Sequence, residues 1–198
     1  MDQQTTLLFA TYNSNKVEEM RTILGERHPV ISLSEAGISQ ELEEPYDTLE
    51  ENARAKCATV FSLTGRSCFS EDTGLFTEAL GGKPGVHSAR YAGDKAGAQE
   101  NMEKLLHELS ESQNRKAEFR TVICLIIGSR EYFFEGICKG SIIHKSRGSK
   151  GFGYDPVFVP EGSEKTFAEM TREEKSGFSH RKKALAKLIA FLEKFPAP

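Results

Sequence analysis

The sequence predicts an α/β fold, built on a mixed, partly antiparallel central sheet flanked by helices. In the first half, short apolar runs alternate with apolar stripes at helical spacing. In the second half, two long β-rich runs are split only by Gly128-Ser129-Arg130, the mark of a hairpin. The last stretch returns to helical periodicity. At 198 residues there is room for one domain, or one domain of two lobes, and not for two large ones. Hydrophobic residues at 38%, with 13 Phe, suffice for a packed core and exclude a disordered chain.

Leu7 to Thr11 is an apolar run that ends in a polar loop, and Val17, Met20, Ile23 and Leu24 follow at helical spacing, which gives strand, loop, helix. Val30 to Leu33 is a short β-rich piece, and Glu41 to Asp47 an acidic connector broken by Pro45. Thr48-Leu49-Glu50-Glu51 reads as a capping box opening a helix with Leu49, Ala53, Cys57 and Val60/Phe61 inward, ending near Gly65. Ser67 to Ser70 reads as a brief strand leading into Glu71-Asp72-Thr73-Gly74; Leu75 to Leu80 continues, and Gly81 to Gly85 is a loop. Met102, Leu105, Leu106 and Leu109 mark an amphipathic helix. Phe119 to Ile127 and Glu131 to Cys138 form the hairpin, with Ser141 to His144 as a further strand. Arg147 to Pro156 is a glycine-rich loop of the kind that binds ligands. Val157 to Val159 follows, then a capping box at Thr171 to Glu174 and a last helix carrying Leu185, Leu188, Ile189, Leu192 and Phe195.

Charge and cysteine usage remove several classes of function. Lys+Arg 26 against Asp+Glu 29 gives −3, so nothing global draws the chain to a nucleic-acid polymer or an anionic membrane, and any phosphate must be held locally. Cys57, Cys68, Cys124 and Cys138 show no C-x-x-C pair, which argues against zinc and for buried, reduced thiols. The longest apolar run, Val122 to Ile127, is too short to span a membrane, and the polar start Asp2 to Thr6 is unlike a secretory leader, so a cytoplasmic protein is expected.

Three groups of residues have the chemistry of a site. Thr11-Tyr12-Asn13-Ser14-Asn15-Lys16 is a polar turn opening a helix, where free amides, the helix dipole and a lysine favour an anion; an ordinary helix cap with a solvated lysine fits equally well. Glu43-Glu44 and Glu71-Asp72 offer carboxylates for a hard cation beside phosphate oxygens; a solvated acidic stretch and an Asp-x-Gly turn are the plain alternatives. Phe152-Gly153-Tyr154-Asp155, with Arg90, Lys175 and His180-Arg181-Lys182-Lys183, offers aromatic faces, a carboxylate and donors suited to a nucleotide base; a turn packed by aromatics and a solvated helix start remain open.

Taken in order, these motifs resemble the inosine/xanthosine triphosphate pyrophosphatase family. The resemblance rests on Thr11 to Lys16, Glu71 to Leu75, Gly82 to Tyr91, Gly151 to Phe158 and Thr171 to Arg181, and runs nearly end to end. It implies a single nucleoside-triphosphate pyrophosphatase domain over residues 1–198, two-lobed, with the nucleotide in the cleft between lobes, and usually a homodimer. It further implies hydrolysis of the triphosphates of inosine, deoxyinosine and xanthosine to monophosphate and pyrophosphate with Mg²⁺. By the same resemblance Thr11, Asn13 and Lys16 bind phosphate, Glu44 and Asp72 bind the metal with Glu71 adjacent, and Asp72 activates water, with Lys16 assisting catalysis. The base and substrate contacts fall on Thr73, Ser88, Arg90, Phe152, Tyr154, Asp155, Lys175, His180 and Arg181. Ser70 and His87 depart mildly from the family pattern, and His87 is given no catalytic role. The rivals are a pyrophosphatase for modified pyrimidine nucleotides, whose base motif would differ, and a nucleotide sensor without turnover, which would not need Glu44, Asp72 and Lys16 together.

Overall fold

A computed structural model describes residues 6–25 and 28–194. Its strands are β1 (Leu7–Phe9), β2 (Val30–Ser32), β3 (Cys68–Thr77), β4 (Pro84–Gly85), β5 (Lys116–Ile127), β6 (Arg130–Ile142) and β7 (Phe158–Pro160). The helices are α1 (Ser14–Leu24), α2 (Leu49–Thr64), α3 (Ala98–Glu108), α4 (Arg172–Phe178) and α5 (His180–Leu192). The strands follow the order β2-β1-β3-β5-β6-β7, with β4 paired to β3. β1 runs parallel to both β2 and β3, while β3 with β4 and β6 with β7 are antiparallel, so the sheet is mixed as the sequence predicts. The predicted Phe195 and the polar start Asp2 to Thr5 lie outside the described residues.

The chain divides into two compact units, each with its own core. Of the described residues, the first holds those up to Asp72, Thr121–Gly136 and those from Lys182. Here Leu7, Phe9, Val17, Met20 and Leu24 pack with Phe69, Ile123, Leu125, Leu185 and Leu188. The Phe9 and Phe69 rings stack with centroids 4.4 Å apart. The β5–β6 turn has positive φ at both Gly128 (54°) and Ser129 (64°), the primed geometry that matches strand twist. At the end of β2, Glu35 receives Arg21 at 2.6 and 2.8 Å and the Ser32 amide at 2.7 Å. Those bonds hold its carboxyl well below the usual range, at about 2.

The second unit holds Thr73–Arg120 and Ile137–Arg181. Leu75, Leu105, Leu109, Phe119, Tyr154, Val157, Phe158 and Phe167 are among its core residues. All four cysteines are free and buried. Hydrogen bonds to Cys124 and Cys68, together with burial, push the Cys57 thiol far up, so it stays protonated and inert. Among the described residues no helix is long and apolar enough to cross a membrane.

Three local expectations need correcting. Glu71-Asp72-Thr73-Gly74 is the middle of one ten-residue strand, β3, and Asp72 is no turn residue. Gly74 serves there for a different reason: a Cβ would lie 2.4 Å from the carbonyl oxygen of Gly85, so glycine admits the close approach of β4. Ser141 to His144 is no separate strand, because β6 runs unbroken to Ile142. The box at Thr48 is half formed: Thr48 Oγ1 accepts from the Glu51 amide at 3.2 Å, but the Glu51 carboxylate receives the Thr48 hydroxyl rather than a backbone N–H. At Thr171 both halves of the box form, at 3.2 and 2.8 Å.

Candidate active site

In the first unit, β1 delivers the chain to the polar turn and α1 begins at Ser14. Asn13 Oδ1 caps α1 by accepting from the Lys16 amide at 3.2 Å, and Thr11 Oγ1 accepts from the Asn13 amide at 3.2 Å. The helix start therefore fixes the turn, and the capping alternative raised by the sequence holds for Asn13 Oδ1. Lys16 reaches β3, where its ammonium lies 3.1 Å from Glu71 Oε1. That Glu71 side chain is 0% exposed, whereas Lys16 keeps 18% of its surface. A carboxylate so deep requires a cation beside it.

α2 supplies the centre of the same group. Lys56 Nζ donates to Glu44 Oε1, to the Glu71 carbonyl at 2.8 Å and to Asp72 Oδ1 at 3.0 Å, which uses all three ammonium protons. Asn52 Nδ2 donates to Asp72 Oδ2 at 3.4 Å and to the Tyr46 carbonyl at 3.0 Å, and Asn52 Oδ1 accepts from the Tyr46 amide at 2.9 Å. Asn52 thus ties the acidic connector to the strand that bears Asp72. Thr11, Asn13, Lys16, Glu44, Glu71 and Asp72 all belong to this one unit.

Burial pushes the Asp72 carboxyl above the usual carboxylate range; the charge of Lys56 opposes this, and the charge of Glu44 reinforces it. Glu44 is also pushed up by burial, but the charge and hydrogen bond of Lys56 outweigh that and leave it below its ordinary value. Burial draws the Lys56 ammonium down, yet Asp72 and Glu44 more than compensate, so it stays charged. The group therefore sets a firmly ionised carboxylate, Glu44, beside one with raised proton affinity, Asp72. Its donors are hard carboxylate oxygens, two of them already gathered on a single cation, and Mg²⁺ is satisfied by one or two such carboxylates plus substrate oxygens. The donor set fits that ion.

The second unit holds the aromatic and basic group. Asp155 Oδ2 accepts from Lys175 Nζ at 2.6 Å and from the Phe152 amide at 2.9 Å. Gly151 makes this possible: its φ is +79°, and a Cβ would sit 1.9 Å from Asp155 Oδ2. The Phe152 ring is exposed, with the Lys175 ammonium 5.2 Å and the Arg181 guanidinium carbon 5.9 Å from its centroid. His180 is stacked on Phe119 at 4.9 Å, and Arg181 is buried beside it at the start of α5. Tyr154 is buried too, and its hydroxyl donates to the Ser88 carbonyl at 2.9 Å. It offers no open face for stacking and instead braces the loop. Ser88 Oγ in turn accepts from the Leu75 amide at 2.8 Å and donates to the Gly85 carbonyl at 2.6 Å. Thr73 is half-buried on β3. Arg90 lines an open cavity of about 380 Å³ with Lys83, His87, Asp94, Lys104 and Glu108.

Sequence reasoning missed Lys56 and Asn52. A signal was present: Asn52 and Lys56 lie at the inward spacing of the stripe Leu49, Ala53, Cys57, Val60, and both are buried. A lysine on the buried face of a helix must be paired, and the acidic segments on either side of α2 are the obvious partners.

Comparison with known proteins gives concordant results. A family model described as the Ham1 family matches residues 7–191. A dITP/XTP pyrophosphatase of Flavobacterium psychrophilum is 46% identical over 187 residues, covering 94% of this chain and 98% of that one. One of Porphyromonas gingivalis is 49% identical over 187 residues, with 94% and 96% covered. The solved structure of a HAM1 protein from Coxiella burnetii superposes with a TM-score of 0.89 at 34% identity, covering 96% of this chain and 99% of that one.

Proposed function

The chain belongs to the Ham1 family, and on that premise we propose that it hydrolyses deaminated purine nucleoside triphosphates to the monophosphate and pyrophosphate, removing them from the nucleotide pool. The observation that carries this reading is the group of Lys16, Lys56, Glu44, Glu71 and Asp72, which sets carboxylates for a hard cation beside the Lys16 ammonium for phosphates. A triphosphate carries about four negative charges, and a protein of net charge −3 needs local cations to receive it. Lys16, with Thr11 and Asn13 of the same turn, holds the phosphates at the start of α1. Glu44 and Asp72 would hold Mg²⁺, which would supply charge neutralisation and polarisation of the triphosphate. Asp72 accepts the proton of the attacking water, and Lys16 stabilises the charge on departing pyrophosphate.

The second group reads the base, with Thr73, Ser88 and Arg90 contributing further substrate contacts. Phe152 gives an exposed stacking face. Arg181 and His180 supply donors for the oxygen at the purine six-position. Asp155, whose two bonds fall on Oδ2, accepts from N1–H through Oδ1. Adenine reverses both partners, leaving buried polar groups unsatisfied, a mismatch worth a factor of about 10⁴. Residues 1–198 act as one catalytic domain, as a homodimer in the cytoplasm, without nucleic acid or membrane. Comparing kcat/KM for inosine and adenosine triphosphates, in the wild type and in Arg181→Ala, tests the base reading. The inosine-to-adenosine ratio should be large and should collapse in the variant; an unchanged ratio would place the reader of the six-position elsewhere. Sedimentation equilibrium tests the dimer.

A further inference from the structure

Lys56 has every ammonium proton bonded, and the mechanism above gives it no step. Its three protons are spent on Glu44, the Glu71 carbonyl and Asp72, and its side chain is 7% exposed. Two of those three acceptors are the carboxylates assigned to the divalent ion. An ammonium reaches a carboxylate oxygen at hydrogen-bond length, here 3.0 Å to Asp72, whereas Mg²⁺ requires its oxygens at about 2.0–2.1 Å. Two cations bonded to that one pair of oxygens would stand only a few ångströms apart, and their repulsion disfavours holding both at these contacts. The carboxylates also cannot stand close together in a buried place without a cation, since their mutual repulsion adds to the cost of burial.

We propose that Lys56 is a built-in counter-cation, which holds Glu44 and Asp72 together in the metal-free protein and releases at least one of them when the divalent ion binds. The inference rests on the assignment of Glu44 and Asp72 as metal ligands. It makes Lys56 a positioning residue with two opposite effects. The lysine preserves the carboxylate pair before metal arrives, and it weakens metal affinity because each binding event must displace it.

The test uses Mn²⁺ alone, titrated into the full chain without nucleotide and followed by the electron paramagnetic resonance of the free ion. Lys56→Met should bind Mn²⁺ at least about tenfold more tightly than the wild type, because a positive charge in contact with the ligands has been removed. Lys56→Arg, which keeps the charge, should stay within about threefold of the wild type. Thermal unfolding supplies a second readout: without metal Lys56→Met melts below the wild type, and Mn²⁺ raises its melting temperature by more. Affinity in Lys56→Met equal to or weaker than the wild type overturns the proposal. If Lys56→Met does not fold, the wild type decides alone through the ¹⁵Nζ resonance of Lys56, assigned by its loss in Lys56→Arg. A signal that shifts and exchanges its protons faster on adding Mg²⁺ supports displacement, and one unmoved at saturating Mg²⁺ refutes it. Turnover of inosine triphosphate that needs no divalent ion would defeat the metal assignment itself. Metal-dependent turnover with unchanged affinity in Lys56→Met defeats only the role of Lys56.

Discussion

Replacing Asp72 by asparagine should separate stability from chemistry at the centre of the site. Both carboxylate oxygens of Asp72 receive donors, Oδ1 from Lys56 at 3.0 Å and Oδ2 from Asn52 at 3.4 Å. An amide has one oxygen, so its NH₂ must face one of those donors in a buried position. One unsatisfied buried pair of this kind costs about 1–3 kcal/mol. For a chain of this size that lowers the melting temperature by about 2–12 °C. The protein should still fold. Turnover should fall far more, by about a hundredfold or beyond, because an amide is a poorer ligand for Mg²⁺ and accepts no proton from water. The assay is kcat for inosine triphosphate at saturating Mg²⁺, with thermal unfolding of the same sample. A variant within about threefold of wild-type kcat would refute the role given to Asp72, and an unchanged melting temperature would refute the paired-oxygen geometry.

Glu44→Gln should act through metal affinity, so that raising Mg²⁺ partly restores the rate; no recovery would remove Glu44 from the ligand set. Lys16→Ala removes the ammonium beside the Glu71 carboxylate, which is 0% exposed, and should cost about 3–5 kcal/mol as well as most of the turnover. Adding Glu71→Gln should return much of the stability and none of the rate, and rescue of both would make Lys16 purely structural. Gly151→Ala places a Cβ 1.9 Å from Asp155 Oδ2 in a left-handed backbone conformation, so KM for inosine triphosphate should rise about tenfold or more; an unchanged KM would detach that loop from base binding. Glu35, held down at about 2 against an ordinary 4.5, contributes stability that is full above about pH 4.5 and lost as pH falls through about 2. Chemical denaturation of Glu35→Gln should therefore lie below the wild type at neutral pH and converge with it at the acid end, and a gap independent of pH would contradict the linkage.

The elements with strong local signals were legible in the sequence. β1, its polar turn and α1 follow from an apolar run, an Asn cap and a helical stripe, and Thr171 with Glu174 marks α4 through groups three residues apart. Glu71 to Gly74 was less legible, since acidic residues before a glycine carry turn chemistry when read locally. They stay extended because Lys16 and Lys56, distant in sequence, neutralise Glu71 and Asp72 inside the fold, and because Gly74 is needed for the approach of Gly85. Lys56 and Asn52 were hidden for a related reason, as a helical stripe is recognised by its apolar members and the polar ones among them pass as exceptions. Phe152 and Tyr154 look alike in the motif, but only tertiary packing exposes the first ring and commits the second to Ser88.

Which phosphorus is attacked defines the reaction. Hydrolysis of inosine triphosphate with Mg²⁺ in ¹⁸O-labelled water, followed by mass analysis of every phosphate-containing product, answers this directly. Inosine monophosphate and pyrophosphate should be the first products, with one ¹⁸O in the monophosphate and none in the pyrophosphate. Label in orthophosphate, with inosine diphosphate as co-product, would contradict it.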